Sequence, residues 1–306
     1  MAAPRPPVRA ILIDLSGTLH VGSIPTPGAV VALSQLRQHN AGQPSALRRC
    51  FPFRFCSNTS KESRKELESR LRGMGFQIDS KDEENENERE MWTSLGALSS
   101  LLHRKGLKRP FCFLQESAKR EVLADLGDSG DAKQEYDSVV VGLAPEMFVY
   151  EHLNTAFRIL LPSDSSPGKP LIATHRAKYV RTAAKEGSGE HDSLSLGPGP
   201  FVAALESATG VHAETVGKPG RAFFETVIAS FGFDDKADHE GGRIVIIGDD
   251  IESDLGGAAV ELGLWRVLVK TGKYRPGDEQ RPGVVPPDEV CDSFAAFVDS
   301  LLKDQA

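Results

Sequence analysis

Val8-Arg9-Ala10-Ile11-Leu12-Ile13-Asp14-Leu15-Ser16-Gly17-Thr18 is the stretch that decides the fold. A mostly apolar run meets a carboxylate and then, at once, Ser-Gly-Thr. It reads as a buried strand ending at Asp14, with the acid facing the crevice beyond the strand. In open α/β sheets, ligands bind in the crevice at the strand C-termini. Gly17 allows the sharp turn and close backbone approach that such a ligand needs.

Three more pieces follow in order. Phe51-Pro52-Phe53-Arg54-Phe55-Cys56 leads into Ser57-Asn58-Thr59-Ser60 and a helical run from Lys61 to Gly75. Hydroxyls and free N–H groups at a helix N-terminus suit a phosphate oxygen, and the same residues also suit an ordinary helix cap. Next comes Val216-Gly217-Lys218-Pro219, ahead of a helix from Arg221 to Phe231. Last, Arg243-Ile244-Val245-Ile246-Ile247 ends in Gly248-Asp249-Asp250, with Asp254 four residues on at the start of a helix. One acid there serves as a helix cap. Three together repel unless neutralised, and a hard divalent cation such as Mg²⁺ is the economical partner.

Taken together, Asp14-Leu15-Ser16-Gly17-Thr18, Ser57-Asn58, Lys218 and Gly248-Asp249-Asp250…Asp254 resemble the four motifs of the haloacid dehalogenase superfamily of phosphatases. The long interval between Ser57 and Lys218 is similar to the branch with a large α/β cap inserted there. That branch includes p-nitrophenyl, pyridoxal and nucleotide phosphatases. The resemblance covers nearly the whole chain. It implies a Rossmann-like parallel-sheet core with a smaller inserted α/β cap, and homodimers formed through that cap.

The resemblance also implies covalent phosphoryl transfer. Asp14 attacks phosphorus, an aspartyl-phosphate forms, and water hydrolyses it. Mg²⁺ is then held by the side chains of Asp14 and Asp249 and the main-chain carbonyl of Ser16. Asp250 and Asp254 stand behind these ligands, orienting Lys218 or water. Asp14, Leu15, Ser16, Ser57, Asn58 and Lys218 line the phosphate site, with Lys218 neutralising charge. A carboxylate beside a divalent cation stays ionised at neutral pH, and such a cation draws charge off phosphoryl oxygens.

One position departs from the family pattern. The residue two after the nucleophile is normally Asp, the general acid for the leaving oxygen; here it is Ser16. General acid–base help is worth about 10²–10⁴ in rate, so unactivated alkyl phosphates lose most without it. Pyrophosphate, aryl phosphates and phosphoramidates lose little. A relative that carries Ser at this position acts on phospholysine, phosphohistidine and pyrophosphate, in line with that chemistry. The expected partner is a small phosphorylated molecule or a phosphorylated side chain. Two other readings stay open: a phosphate-binding protein that has lost turnover, and a phosphotransferase. His20 reads either as a substrate contact or as an ordinary loop residue. Arg176 and Lys178 read either as anion contacts or as solvated surface.

At 306 residues, with 40% apolar and 26% charged, the chain is of ordinary globular composition and large enough for two domains. A net charge of −7 argues against nucleic acid held by bulk electrostatics. No run of 18 or more apolar residues is present, which excludes a membrane-spanning helix. The four cysteines form no C-x-x-C pair, fitting a reducing cytoplasmic compartment rather than zinc or a disulfide framework.

Strands and helices alternate along the chain, the pattern of a parallel α/β sheet. Core strands are expected at Val8–Ile13, Phe51–Cys56, Arg243–Ile247 and Leu264–Val269. A central set repeats the alternation: helices Met91–Arg104, Glu116–Leu126 and Met147–Leu161, with strands Phe111–Leu114, Ser138–Gly142 and Leu171–Thr174. The core is therefore expected at 1–80 and 196–306, and the cap at 81–195. Asn40–Arg49, Lys81–Glu90 and Ala183–Ser193 read as polar loop insertions.

Overall fold

A computed structural model describes residues 4–42, 50–79, 89–124, 126, 135–162, 168–182, 193–233 and 242–304. Most of each of the three polar insertions lies outside the described residues.

The opening run is strand β1 (Val8–Asp14), and the loop after it returns as an antiparallel pair, β2 (His20–Val21) and β3 (Ile24–Pro25). Helix α1 (Ala29–Ala41) precedes β4 (Phe53–Ser57), which lies parallel to β1. Helix α2 (Arg64–Gly73) starts where the Ser63 hydroxyl accepts the Glu66 N–H at 3.2 Å, later than the expected Lys61. Strand β5 (Met91–Thr93) pairs with β4, and α3 (Ser94–Lys105) follows without a break.

Next come β6 (Pro110–Phe113), α4 (Glu116–Ala124), β7 (Ser138–Val141), α5 (Tyr150–Leu160) and β8 (Leu171–Ala173). An antiparallel pair, β9 (Tyr179–Thr182) and β10 (Ser193–Leu196), leads to α6 (Gly199–Thr209), β11 (Glu214–Thr215) and α7 (Arg221–Ala229). The chain ends with β12 (Arg243–Gly248), α8 (Ala258–Glu261), β13 (Trp265–Val269), β14 (Glu289–Cys291) and α9 (Phe294–Lys303).

Two parallel sheets result. The larger has six strands in the order β14-β13-β12-β1-β4-β5. The smaller has four, ordered β11-β8-β7-β6. Side chains alternate across a strand, so the part of a strand covered on both faces is a continuous apolar run, as Ala10–Ile13 is in β1. Ile11 and Ile13 join Val245 and Ile247 against α1, α2 and α9, while Leu12, Ile246 and Leu268 meet α7 and α8 on the other face. The smaller sheet is also sandwiched, between α3 and α4 on one side and α5 and α6 on the other.

Strand pairing moves the borders expected from sequence. Met91–Thr93 is not the start of a helix but the edge strand of the larger sheet, inside the stretch assigned to the cap. The Thr93 hydroxyl accepts the Gly96 N–H at 3.1 Å and caps α3, which keeps the residues before it extended. Glu214–Thr215, assigned to the core, pairs with β8 of the smaller sheet. Nor does Asp254 open a helix. Ile251–Gly257 is a run of turns, and only Ala258–Glu261, after Gly257 at φ +49°, is helical.

Candidate active site

Strands β12, β1 and β4 are neighbours, and their C-terminal ends meet at one place. Asp14 ends β1, Ser57 ends β4, and Asp249 follows the last residue of β12. Lys218 arrives from the smaller sheet. Beyond β11 the chain stays beside β8, with Val216 N donating to Ala173 O and Gly217 N to Thr174 O, both at 3.0 Å. A Cβ at position 217 would lie 2.4 Å from Asn58 Oδ1 and 2.5 Å from Thr174 O, so only glycine fits. Asn58 then clamps the next residue in both directions. Its Nδ2 donates to Lys218 O and its Oδ1 accepts the Lys218 N–H, each at 2.9 Å. The Asn58 side chain therefore holds the lysine backbone.

Lys218 is 1% exposed. Its Nζ donates to Asp14 Oδ1 at 2.5 Å and to Cys56 O at 2.8 Å, and lies 2.7 Å from Asp254 Oδ1. Burial disfavours the ammonium, but the Asp14 and Asp254 carboxylates outweigh it and hold the pKa above the usual lysine value. Thr18 Oγ1 donates to the other Asp14 oxygen at 2.9 Å, a role its place in the motif did not announce.

Asp249 lies between two glycines. A Cβ on Gly17 would come within 1.9 Å of its Oδ2, and one on Gly272 within 2.1 Å. That oxygen accepts the Lys273 N–H at 2.6 Å. Its Oδ1 is buried and has no partner among the described residues. Burial raises the Asp249 pKa well above the carboxylate range, and Asp14 and Asp254 push the same way against Lys273. The Asp250 carboxyl accepts N–H groups from Glu252 and Ser253 and a bond from Lys273 Nζ, all at 3.0 Å. Burial opposes its ionisation, yet Lys273 and these donors prevail and its pKa falls far below the ordinary value.

One oxygen each from Asp14, Asp249 and Asp254 lies within 4.8 Å of the others. This set suits a hard cation, because the buried, unpartnered Asp249 Oδ1 needs a positive neighbour. Asp254 is otherwise occupied, with Oδ1 on Lys218 and Oδ2 accepting the Asp250 N–H at 3.1 Å.

The cluster opens into a cleft of about 490 Å³, lined among others by Asp14, Ser16, Ser57, Asn58, Lys218 and Asp249. Ser16 is exposed there, whereas the Leu15 side chain is fully buried in the core, leaving only its backbone to face a ligand. Ser57 Oγ accepts the Thr59 N–H at 3.1 Å, which leaves its own O–H available to donate. A larger hollow of about 750 Å³ lies by α2, α3, α4 and α7, but none of the acidic cluster lines it.

Two histidines line the cleft, and both are held neutral. Burial, with Arg70 adding to it, lowers His20 to about 4; burial, with Lys273 adding to it, lowers His175 to about 3. His20 Nδ1 lies 2.9 Å from Gly22 O. Arg176 and Lys178 are committed elsewhere, to Glu206 at 2.6 Å and to Glu252 at 3.0 Å. Sequence reasoning gave no role to Lys273, Gly272 or His175. Thr271-Gly272-Lys273 follows the apolar strand ending at Val269, and a small-residue turn after such a strand was the available signal.

Residues 11–127 match the family described as haloacid dehalogenase-like hydrolase, and residues 215–297 match one described as HAD-hydrolase-like. The chain is 41% identical over 303 residues to haloacid dehalogenase-like hydrolase domain-containing protein 2 of Homo sapiens, covering 99% of each. The chain belongs to the haloacid dehalogenase-like hydrolases. Within that family it is 34% identical over 301 residues to the phospholysine phosphohistidine inorganic pyrophosphate phosphatase of Homo sapiens, covering 97% of this chain and 95% of that one. Two solved structures share its fold. A p-nitrophenyl phosphatase from Archaeoglobus fulgidus matches with a TM-score of 0.72 at 25% identity, covering 97% of this chain and 100% of that one. A glycerol phosphate phosphatase from Mycobacterium tuberculosis, in complex with magnesium, matches with a TM-score of 0.68 at 24% identity, covering 95% and 76%. Three of these proteins are phosphatases by name, and this chain is, with them, an enzyme of the haloacid dehalogenase-like hydrolase family.

Proposed function

We propose that this phosphatase is Mg²⁺-dependent, works through a phosphoryl group carried on Asp14, and favours substrates with good leaving groups. The observation that carries the reading is the buried set of Asp14, Lys218 and Asp254 beside the open Asp249 Oδ1.

An Asp14 oxygen attacks phosphorus and the bond to the leaving group breaks, the electron pair departing with that group. Water then attacks the same phosphorus, frees phosphate and restores the carboxylate. Lys218 sits against the nucleophile to offset charge on the phosphoryl oxygens, and Asn58 and Asp254 hold it in place. Ser57 offers its hydroxyl, and the backbone of Leu15 and Ser16 would face the phosphoryl oxygens. Asp14, Asp249 and the Ser16 carbonyl would hold Mg²⁺, which supplies Lewis acidity toward the phosphoryl oxygens. The mycobacterial neighbour, solved with magnesium and with calcium, is in keeping with a divalent cation at such a site.

Ser16 is a poor proton donor, and the two cleft histidines are neutral at physiological pH. No strong general acid therefore faces the leaving group among these residues, which favours P–O–P, P–N and aryl phosphate substrates. The second sheet, residues 94–216, acts as the cap that selects among them.

The test is a rate panel of aryl and alkyl phosphates, pyrophosphate and a phosphoramidate, in Mg²⁺ and in chelator. Asp14→Asn should abolish turnover, and trapping should place the phosphoryl group on Asp14. Full activity in chelator removes the cation from the reading. Phosphate binding without turnover of even activated aryl phosphates makes the chain a binding protein.

A further inference from the structure

Lys273 has no place in the family's four motifs, yet it sits half-buried against the acidic cluster, its side chain 17% exposed. Its backbone N–H bonds Asp249 Oδ2 at 2.6 Å and its ammonium bonds Asp250 Oδ2 at 3.0 Å, so one residue spans both acids of the Asp-Asp pair. The turn that carries it is tied to the nucleophile loop. Thr271 Oγ1 donates to Gly17 O at 2.5 Å, and a Cβ on Gly272 would lie 2.4 Å from Gly17 Cα.

Charge sharpens the point. The buried carboxylates of Asp14, Asp249 and Asp254 and the half-buried one of Asp250 stand with the buried ammonium of Lys218 and the half-buried one of Lys273. Exposed Lys178 and Arg181 nearby are screened by solvent and count for little. With all four carboxylates ionised, as a bound cation requires, two negative charges are left over, the complement of one doubly charged ion. Of the buried carboxylate oxygens, Asp249 Oδ1 has no partner among the described residues, because Lys273 has taken up its twin.

We propose that Lys273 is a positioning residue for the cation site: it fixes Asp249 so that Oδ1 is the open ligand, and it sets the residual charge at the value one divalent cation neutralises. This rests on the reading of the cluster as a cation site. Lys273 touches neither substrate nor phosphorus in this scheme. It acts through Asp249 and Asp250.

Calorimetry in phosphate-free buffer, with Ca²⁺ and La³⁺ as probes, tests the charge match without any substrate. The parent should bind one Ca²⁺. Lys273→Met leaves one more negative charge, so its preference for La³⁺ over Ca²⁺ should rise by about 10-fold, as expected for one unit charge at close range in a partly buried site. Asp250→Asn should shift the preference the opposite way. Lys273→Arg and the double variant Asp250→Asn/Lys273→Met keep the parental charge and should keep the parental preference. A merely structural lysine would lower the unfolding temperature of Lys273→Met without moving the ratio, and that result overturns the proposal. So does a double variant that stays as shifted as Lys273→Met. If Lys273→Met fails to fold, Asp250→Asn and the double variant still decide between the two outcomes. A parent that binds neither ion overturns the cation reading itself, a result distinct from a parent that binds Ca²⁺ with variants that do not respond.

Discussion

Replacing Lys218 with methionine keeps the length of the side chain and removes its charge. The ammonium is buried between Asp14 at 2.5 Å and Asp254 at 2.7 Å, whose side chains are 7% and 4% exposed. Breaking a buried pair by removing one partner costs about 3–5 kcal/mol, because the remaining charge is left uncompensated. Here two carboxylates lose the same partner, and Cys56 O loses a donor as well. With roughly 2 °C per kcal/mol for a chain of this size, the unfolding temperature in chelator should drop by about 6–10 °C. Adding Mg²⁺ should recover part of that loss, since the cation offsets the same carboxylates. For catalysis, losing one preorganised electrostatic contact typically costs about 10²–10³ in rate, or roughly 3–4 kcal/mol of barrier. Scanning calorimetry with and without chelator measures the first effect, and kcat/KM on an aryl phosphate measures the second. Lys218→Arg should rescue poorly, because a planar guanidinium cannot occupy the place of a compact ammonium wedged between two carboxylates and a carbonyl. A Lys218→Met protein with parental kinetics and an unchanged transition would refute the reasoning.

Other outcomes follow from the same geometry. His20 and His175 have folded pKa values of about 4 and about 3 against 6.5 for the free side chain, so on acidification the unfolded chain takes up protons first. Stability should therefore fall from about pH 6.5 downward and level off below the folded values, with each histidine contributing about 2 kcal/mol of loss by pH 5. Urea unfolding in chelator should show His175→Gln removing about half of that slope. Gly272→Ala, whose Cβ would lie 2.1 Å from Asp249 Oδ2 at φ +56°, should displace the carboxylate and lower kcat/KM by about 10²-fold; parental kinetics would show that the turn yields freely. Ser16→Asp supplies the missing proton donor and should raise alkyl phosphate turnover by about 10-fold while flattening the dependence on leaving-group pKa. A parent enzyme that cleaves sugar phosphates as fast as aryl phosphates would sever Ser16 from substrate choice.

Much of the site was legible because it sits at strand ends. An apolar run followed by a carboxylate marks both the strand and the direction its last residue faces, so Asp14, Ser57 and Asp249 could be placed together before any coordinates. The motif interval likewise led to the expectation of an inserted unit. Its borders were not legible, because β5 and β11 are too short to carry a period of their own. Only the pairing of Phe55 with Met91 and of Ile172 with Glu214 assigns them. Asn58 was read for its backbone N–H, and nothing in Ser57-Asn58 tells that its side chain would close on a residue 160 positions away. Lys273 was missed for a similar reason. It belongs to no acidic run, and its partners come from a different strand.

Strand β9 has its own hold on the Thr271-Gly272-Lys273 turn: its Arg181 donates to Gly272 O at 2.6 Å. If the smaller sheet is the proposed cap, exchanging it as a unit over the larger sheet therefore has a limit in this chain. A cap transplanted from a relative with no arginine at this point would bring new substrate contacts and leave the turn unstitched. Such a chimera would be weakened first in its grip on Asp249, some distance from any substrate, and a failed graft of this kind would be repaired by restoring the one guanidinium rather than by reshaping the pocket.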